Sequence, residues 1–416
     1  ARLEAMAEPL VLRGATLVDG TGADPVADAV VVVEGDRITQ VGGRPPSGGR
    51  EVDLGGMTLT PGLIDAHAHL TIVDVGDTDA VRTPLAVTAA RIFRVCELAL
   101  DAGFTTVRDA AGADGGLAAA VAQGLIRGPR ILPSGPIISQ VGGHGDHRFP
   151  WDHHHHSHTR GYPGLALMSV AVNGPDEVRL AAREAFRHGA TQLKVCTSGG
   201  VVSFTDRLED AQLTVEELRA AVEEAEARDT YVLAHAHNSR GIRNGLEAGV
   251  RCFEHATMLD HATAHAIAAA GAYVVPTFAV IRLMLDEWQE WGIPEEVLPK
   301  VADVEALMAK SMRLAIDAGV KIGSGSDLLG PTQNRRGLEL VIKSQLIGPM
   351  AALVSSTLTN AEIMRLDHEL GSVAEGKRAD LVAFAGNPVD DPELFDAPDR
   401  VALVIQGGEV VKDTRP

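Results

Sequence analysis

Cysteine is scarce in this 416-residue chain, and three thiols, Cys96, Cys196 and Cys252, are too few for a disulfide framework. Two of them sit in apolar, strand-like stretches, so all three read as reduced structural residues of a cytoplasmic protein. Long apolar runs are missing as well: no stretch approaches the ~20 residues needed to span a bilayer. Residues Ala1 to Pro9 carry neither the basic region nor the apolar core of a secretory signal. Basic charge is in deficit, 37 Lys and Arg against 56 Asp and Glu, and the net charge of −19 repels phosphate backbones and anionic lipid. Nucleic acid and membrane are therefore not expected as partners. No Gly-x-Gly-x-x-Gly follows the first strand-like run of the central region, which weighs against a dinucleotide-binding open sheet. There is no internal repeat.

What is present is a 45% hydrophobic chain with 44 glycines, a globular composition with ample material for a large core. Its two ends share a texture of short β-rich runs broken by Asp, Gly and Pro. Leu10–Val18, Ala29–Glu34, Arg37–Val41 and Gly49–Leu54 stand at one end, and Asp380–Phe384, Val401–Gln406 and Gly408–Val411 at the other. Residues 8–60 and 369–414 are predicted to pair in one small β-sandwich. Between them, eight apolar runs alternate with helical segments: Leu63–Leu70, Thr105–Asp109, Arg130–Ser134, Gln192–Thr197, Tyr231–His237, Arg251–His255, Tyr273–Thr277 and Lys321–Asp327. Helices are expected at Thr214–Arg228 and Ser311–Ala318. Eight such units predict an α/β fold, a (β/α)8 TIM barrel over residues 61–368, a size such a barrel accommodates at about 250 residues or more.

Metal-competent residues recur at the ends of these runs, where barrel enzymes assemble their sites. His67 and His69 stand two apart in the first, so both face one side of a strand; His235 and His237 repeat the pattern in the fifth. Glu254 and His255 close the sixth, and Asp327 ends the eighth. Lys194 lies inside the apolar run Gln-Leu-Lys-Val-Cys, where a charged ammonium is costly to bury. Either it reaches the rim or pairs with a carboxylate, or it carries a carbon dioxide-derived carbamate that bridges two cations.

The order Gly62-Leu63-Ile64-Asp65-Ala66-His67-Ala68-His69, Lys194, His235, Glu254-His255-Ala256-Thr257 and Gly325-Ser326-Asp327 resembles the metal-dependent amidohydrolase superfamily. Asp19-Gly20-Thr21-Gly22 and the segment from Gly371 to Leu381 match its flanking signatures. The resemblance implies two divalent metal ions, zinc by default, with His67, His69 and Asp327 on the more buried ion and His235 and His255 on the other. It implies carboxylated Lys194 as the bridge and Asp327 as general base, with a bridging hydroxide attacking an amide carbonyl. The wording around Lys194, Glu254 and Gly142-Gly143-His144-Gly145-Asp146 is similar to a binuclear branch related to imidazolonepropionase, which holds Xaa-Pro dipeptidases, carboxypeptidases for basic residues and ochratoxin-type amidases.

The implied substrate is a small-molecule amide with an amino-acid leaving group, a dipeptide or an N-acyl amino acid. A carbamate, urea or cyclic amide is the alternative, and a catalytically silent metal-binding protein a third reading. His144, His237 and Arg108 are the candidate substrate contacts, His237 also as a catalytic partner of the substrate carbonyl. Arg108 and Asp109 have a second reading as an ion pair beneath the site. The histidine tract His153–His158 is expected in a long loop after the third strand, and Met284, Trp288 and Trp291 on a packed helix face. The family resemblance also implies a homo-oligomer.

Overall fold

The computed structural model describes residues 8–73, 83–148, 151, 158–201, 205–291, 295, 298–330 and 333–415. Two compact units emerge, one of Ala1–Asp65, Glu97–Thr106 and Asn334–Pro416, the other of Ala66–Cys96 and Val107–Gln333. The chain opens with β1 (Leu10–Leu17), β2 (Val26–Glu34), β3 (Arg37–Val41), β4 (Arg50–Asp53) and β5 (Thr58–Pro61). Strands β6 (Leu63–Ala68) and β7 (Phe104–Asp109) start in the first unit and end in the second. Then come β8 (Arg130–Pro133), β9 (Ile137–Gln140), β10 (His158–Tyr162), β11 (Ala166–Val172) and β12 (Leu193–Cys196). They are followed by β13 (Val232–Asn238), β14 (Cys252–Met258), β15 (Tyr273–Val275) and β16 (Lys321–Ile322), and the chain closes with β17 (Leu381–Phe384), β18 (Val401–Gln406) and β19 (Glu409–Asp413).

In the first unit the two ends of the chain do pair. The hydrogen-bonded order is β19-β18-β17-β5-β1-β2-β3, with β4 on β1, and β17 runs antiparallel to β5 with Leu381 opposite Pro61. Alternation along β17 and β18 sends Leu381, Ala383, Leu403 and Ile405 into a core shared with Leu12, Val31 and Leu59. Val382, Phe384 and Val404 enter a second core with Phe104, Leu340 and Leu353. These strands are buried on both faces, which is why their sequences read as unbroken apolar runs rather than alternating ones.

The other strands form two further sheets, the larger one parallel except where β10 runs antiparallel to β11. One sheet has the order β10-β11-β9-β12-β13-β14-β15-β16, another the order β6-β7-β8. The eight runs foreseen in the sequence correspond to β6, β7, β8 and β12 to β16. Only Lys321 and Ile322 of the last run are ladder-paired; beyond them the chain stays extended, bonding Gly323 N to Val274 O at 2.8 Å and accepting from Ala66 N at Ser324 O, 2.9 Å. Asp327 N then donates to His67 O at 2.8 Å. That approach requires glycine at 325, because a Cβ there would lie 2.4 Å from the Cβ of His67.

Helices return the chain so that strand C-termini gather at one end. Helix Val215–Glu226 starts on a capping box, Thr214 N donating to Glu217 Oε2 at 2.7 Å and Glu217 N to Thr214 Oγ1 at 3.2 Å, with Glu216 and Glu217 favourable at its N-terminal dipole. Helix Ser239–Ala248 follows β13 without a loop: Asn238 accepts from Gly241 N at 2.8 Å, and Gly249, at φ 98°, ends it.

The connection after the third run differs from the long loop expected. It contains β9, β10 and β11, with the apolar run Ala166–Val172 parallel to β9 and Ile138 of β9 paired with Val195 of β12. Of the histidine tract, His158 opens β10 and the preceding histidines lie outside the described residues. The helix expected at Ser311–Ala318 is the last part of a longer one, Leu298–Asp317. No described helix is long and apolar enough to cross a membrane.

Candidate active site

Two groups of metal-competent side chains meet where β6, β12, β13, β14 and the segment after β16 end. His67, His69 and Asp327 form one, and His235, His237 and His255 the other; within each, the potential ligand atoms lie within 4.8 Å of one another. Asp327 Oδ1 is 3.1 Å from His69 Nε2 and 3.5 Å from His67 Nε2. The groups adjoin: the His67 and His255 rings are 5.0 Å apart, and His255 Nδ1 is 3.8 Å from Asp327 Oδ2.

Each histidine has one ring nitrogen tied by the framework, which orients the ring and selects the nitrogen that meets the centre. His67 Nδ1 meets Glu254 Oε2 at 2.6 Å, His255 Nδ1 meets Thr277 Oγ1 at 2.8 Å, and His237 Nδ1 meets Thr257 Oγ1 at 2.7 Å. His235 bonds through Nε2 to the carbonyl of Gly199 at 3.1 Å. A carbonyl only accepts, so Nε2 carries the proton and Nδ1 is the nitrogen with a lone pair to offer. His255 and Asp327 hold φ of 68° and 54°, left-handed values that cost bulky residues energy and cluster at functional sites.

Lys194 lies deep in the centre. It is 2% exposed, so it does not reach the rim, and its Nζ lies 3.3 Å from His67 Nε2. No described carboxylate comes within ion-pairing distance of it. Burial lowers its pKa and favours the neutral amine. Burial works to raise Asp327, but His67 and His69 outweigh it and hold the carboxyl at about 2. Burial also pushes His67, His235 and His255 down, and His144 to about 4, so these rings are neutral near pH 7, the form that binds cations.

His144 joins the cluster, its ring stacked on that of His235 at 4.0 Å and 16°. His237 stacks on His255 at 4.9 Å and 13°, and it is a third potential ligand of its group. Arg108 sits elsewhere. Fully buried, it donates from Nη2 to Glu254 Oε1 at 2.8 Å and from Nε to Ala66 O at 2.6 Å, and it is not among the residues lining the cavity. Nor is Asp109 its partner: that carboxylate accepts from Leu70, Ala111 and Ala113 backbone N–H groups. Met284 does line the cavity, with Val280 and Ile281 of the same helix, rather than only packing that helix.

The sequence counted Glu254 only among the metal-competent residues at the run ends and pointed neither to its bond with His67 nor to the parts of Thr257 and Thr277. Neighbours in a regular strand point to opposite faces. The left-handed backbone at His255 breaks that alternation, and both Glu254 and His255 reach His67. The adjacency of a carboxylate to a candidate ligand was the available signal.

An amidohydrolase family model matches residues 58–411. Ochratoxinase of Aspergillus niger is 32% identical over 427 aligned positions, covering 98% of this chain and 87% of that protein. A prolidase solved in complex with N-methylphosphonate-L-proline is 38% identical with a TM-score of 0.91, covering 97% of this chain and 100% of its own. A Xaa-Pro dipeptidase solved with methionine in its active site is 29% identical, with a TM-score of 0.87 and coverage of 97% and 100%. The chain is a hydrolase acting on carbon–nitrogen bonds. The chain belongs to the amidohydrolase family.

Proposed function

We propose that this protein is a binuclear metal-dependent amidase that releases an amino acid from a dipeptide or an N-acyl amino acid. The observation that carries the reading is the meeting of two three-residue ligand groups over a buried lysine that lacks a carboxylate partner among the described residues. The donor set, neutral imidazoles with an ionised carboxylate, fits two divalent cations, with zinc the default. His67, His69 and Asp327 would hold one, and His235 and His255 the other. When bound, such ions polarise a carbonyl and bring the pKa of water near neutrality.

The chain's own residues supply the remaining chemistry. The neutral Lys194 amine adds to carbon dioxide and loses one proton, giving a carbamate that would bridge the cations. Asp327, held ionised, accepts a proton and passes it to the leaving nitrogen. His237 and His144 flank the centre and orient the substrate carbonyl and carboxylate. The name of each relative above concerns amide or peptide cleavage, which supports an amino-acid leaving group over a carbamate or urea. We further infer that the parallel strands close into a (β/α)8 barrel over residues 61–368, with residues 8–60 and 369–414 forming a β-sandwich.

The test is a panel assay of the full chain, stripped of metal and reloaded with zinc, on Xaa-Pro dipeptides, N-acyl amino acids, carbamates and cyclic amides. Turnover of the first two classes that disappears on stripping and returns on reloading supports the reading. Equal turnover without metal, or turnover of carbamates alone, overturns it.

A further inference from the structure

The cavity over the histidines is lined in its remaining part by apolar side chains. Val280, Ile281 and Met284 come from one turn of helix Phe278–Asp286, Met308 from helix Leu298–Asp317, Ile137 from β9, Val201 from the segment after β12, and Leu329 from the segment after Asp327. All but Val201 and Leu329 are buried at under a tenth of their surface. Among the described lining residues Asp327 is the only acid and Lys194 the only lysine or arginine, and both belong to the reactive centre.

From this wall we infer the substrate class: the side chain next to the scissile amide is uncharged and apolar, of the leucine, methionine or phenylalanine kind. The inference rests on the amidase reading above and narrows it. A lysine or arginine side chain placed here loses its hydration and finds, among the described lining residues, no counter-charge besides Asp327 of the reactive centre, and a carboxylate meets the same loss. An apolar side chain gains by leaving water. Two of the seven apolar wall residues are methionines, unbranched and polarisable, so the wall adapts to several apolar shapes rather than selecting one. Within the branch that the sequence resembles, this disfavours action on basic residues.

The experiment uses the zinc-loaded full chain and two substrate series, one varied on the acyl side of the amide and one on the leaving side. On at least one side, kcat/KM for Leu, Met and Phe should exceed that for Lys, Arg and Glu by about tenfold to a hundredfold, the scale set by burying one such side chain. Met284→Glu places a counter-charge in the wall and should narrow the gap between basic and apolar substrates by at least about tenfold. Should that variant not fold, Met284→Ala reads the same wall: it should cost the apolar substrates about tenfold and leave the basic ones unchanged. Turnover of amides with basic side chains equal to or faster than apolar ones on both sides overturns the apolar class while leaving amide hydrolysis standing. No turnover on any amide counts against the amidase reading itself, and this inference falls with it.

Discussion

Arg108→Met separates the support beneath the site from the site itself. Arg108 and Glu254 are both fully buried, 2.8 Å apart, and the same carboxylate accepts from His67 Nδ1 at 2.6 Å and from Cys252 Sγ at 3.1 Å. Burial works to raise Glu254, but Arg108, and after it His67, hold it at about 2. Removing the guanidinium strands a buried charge, a loss of about 3–5 kcal/mol. In a unit of this size that lowers the melting temperature by roughly 6–20 °C. The measurement is calorimetry on metal-free chain, because a bound ion would mask part of the loss. Replacing both partners, Arg108→Met with Glu254→Leu, removes the stranded charge and should restore most of the stability. It should not restore the ring. With no carboxylate on His67 Nδ1, zinc affinity should stay about 10–100-fold below the parent. A single variant that melts with the parent, or a double variant that binds zinc as the parent does, would refute this account.

Lys194→Ala should lose activity and most of the metal, and short carboxylic acids should restore part of both; metal analysis and turnover read the result, and full retention argues against a lysine bridge. Asp327→Asn should keep much of the metal, since asparagine tolerates the left-handed backbone at φ 54° and offers an amide oxygen. Its kcat should fall about 10²–10⁴-fold with KM little changed, as loss of a proton carrier predicts. The metal-free chain should lose stability as pH falls. His144 is lowered from 6.5 to about 4, so its contribution is complete above 6.5 and is lost as pH falls toward 4. Glu254 and Asp327, lowered from 4.5 and 3.8 to about 2, contribute above those values and are lost as pH falls toward 2. Melting temperatures flat from pH 7 down to 3 would contradict both.

The parts of the fold legible in the sequence are those where one residue pattern has one structural outcome. His235 and His237 stand two apart in β13, and His67 in β6 stands two before His69, which is one residue past the strand's end, so period 2 brings each pair to one side. The Thr214 and Glu217 spacing marks a helix start by local hydrogen bonds that need no tertiary information. What escaped depends on contacts distant in sequence. The run Ala166–Val172 becomes a strand because β9 is beside it, and Met284 faces a cavity because of where its helix lands. The same holds for Arg108. Its neighbour in sequence, Asp109, looked like its partner, yet Asp109 is taken up by three backbone N–H groups and Arg108 reaches across to Glu254, 146 residues away. A buried guanidinium takes whichever carboxylate is not already satisfied, and sequence adjacency says nothing about satisfaction. Lys194 was ambiguous for the opposite reason: its environment is defined by what is missing, a path to the rim and, among the described residues, a carboxylate within reach, and only coordinates reveal both at once.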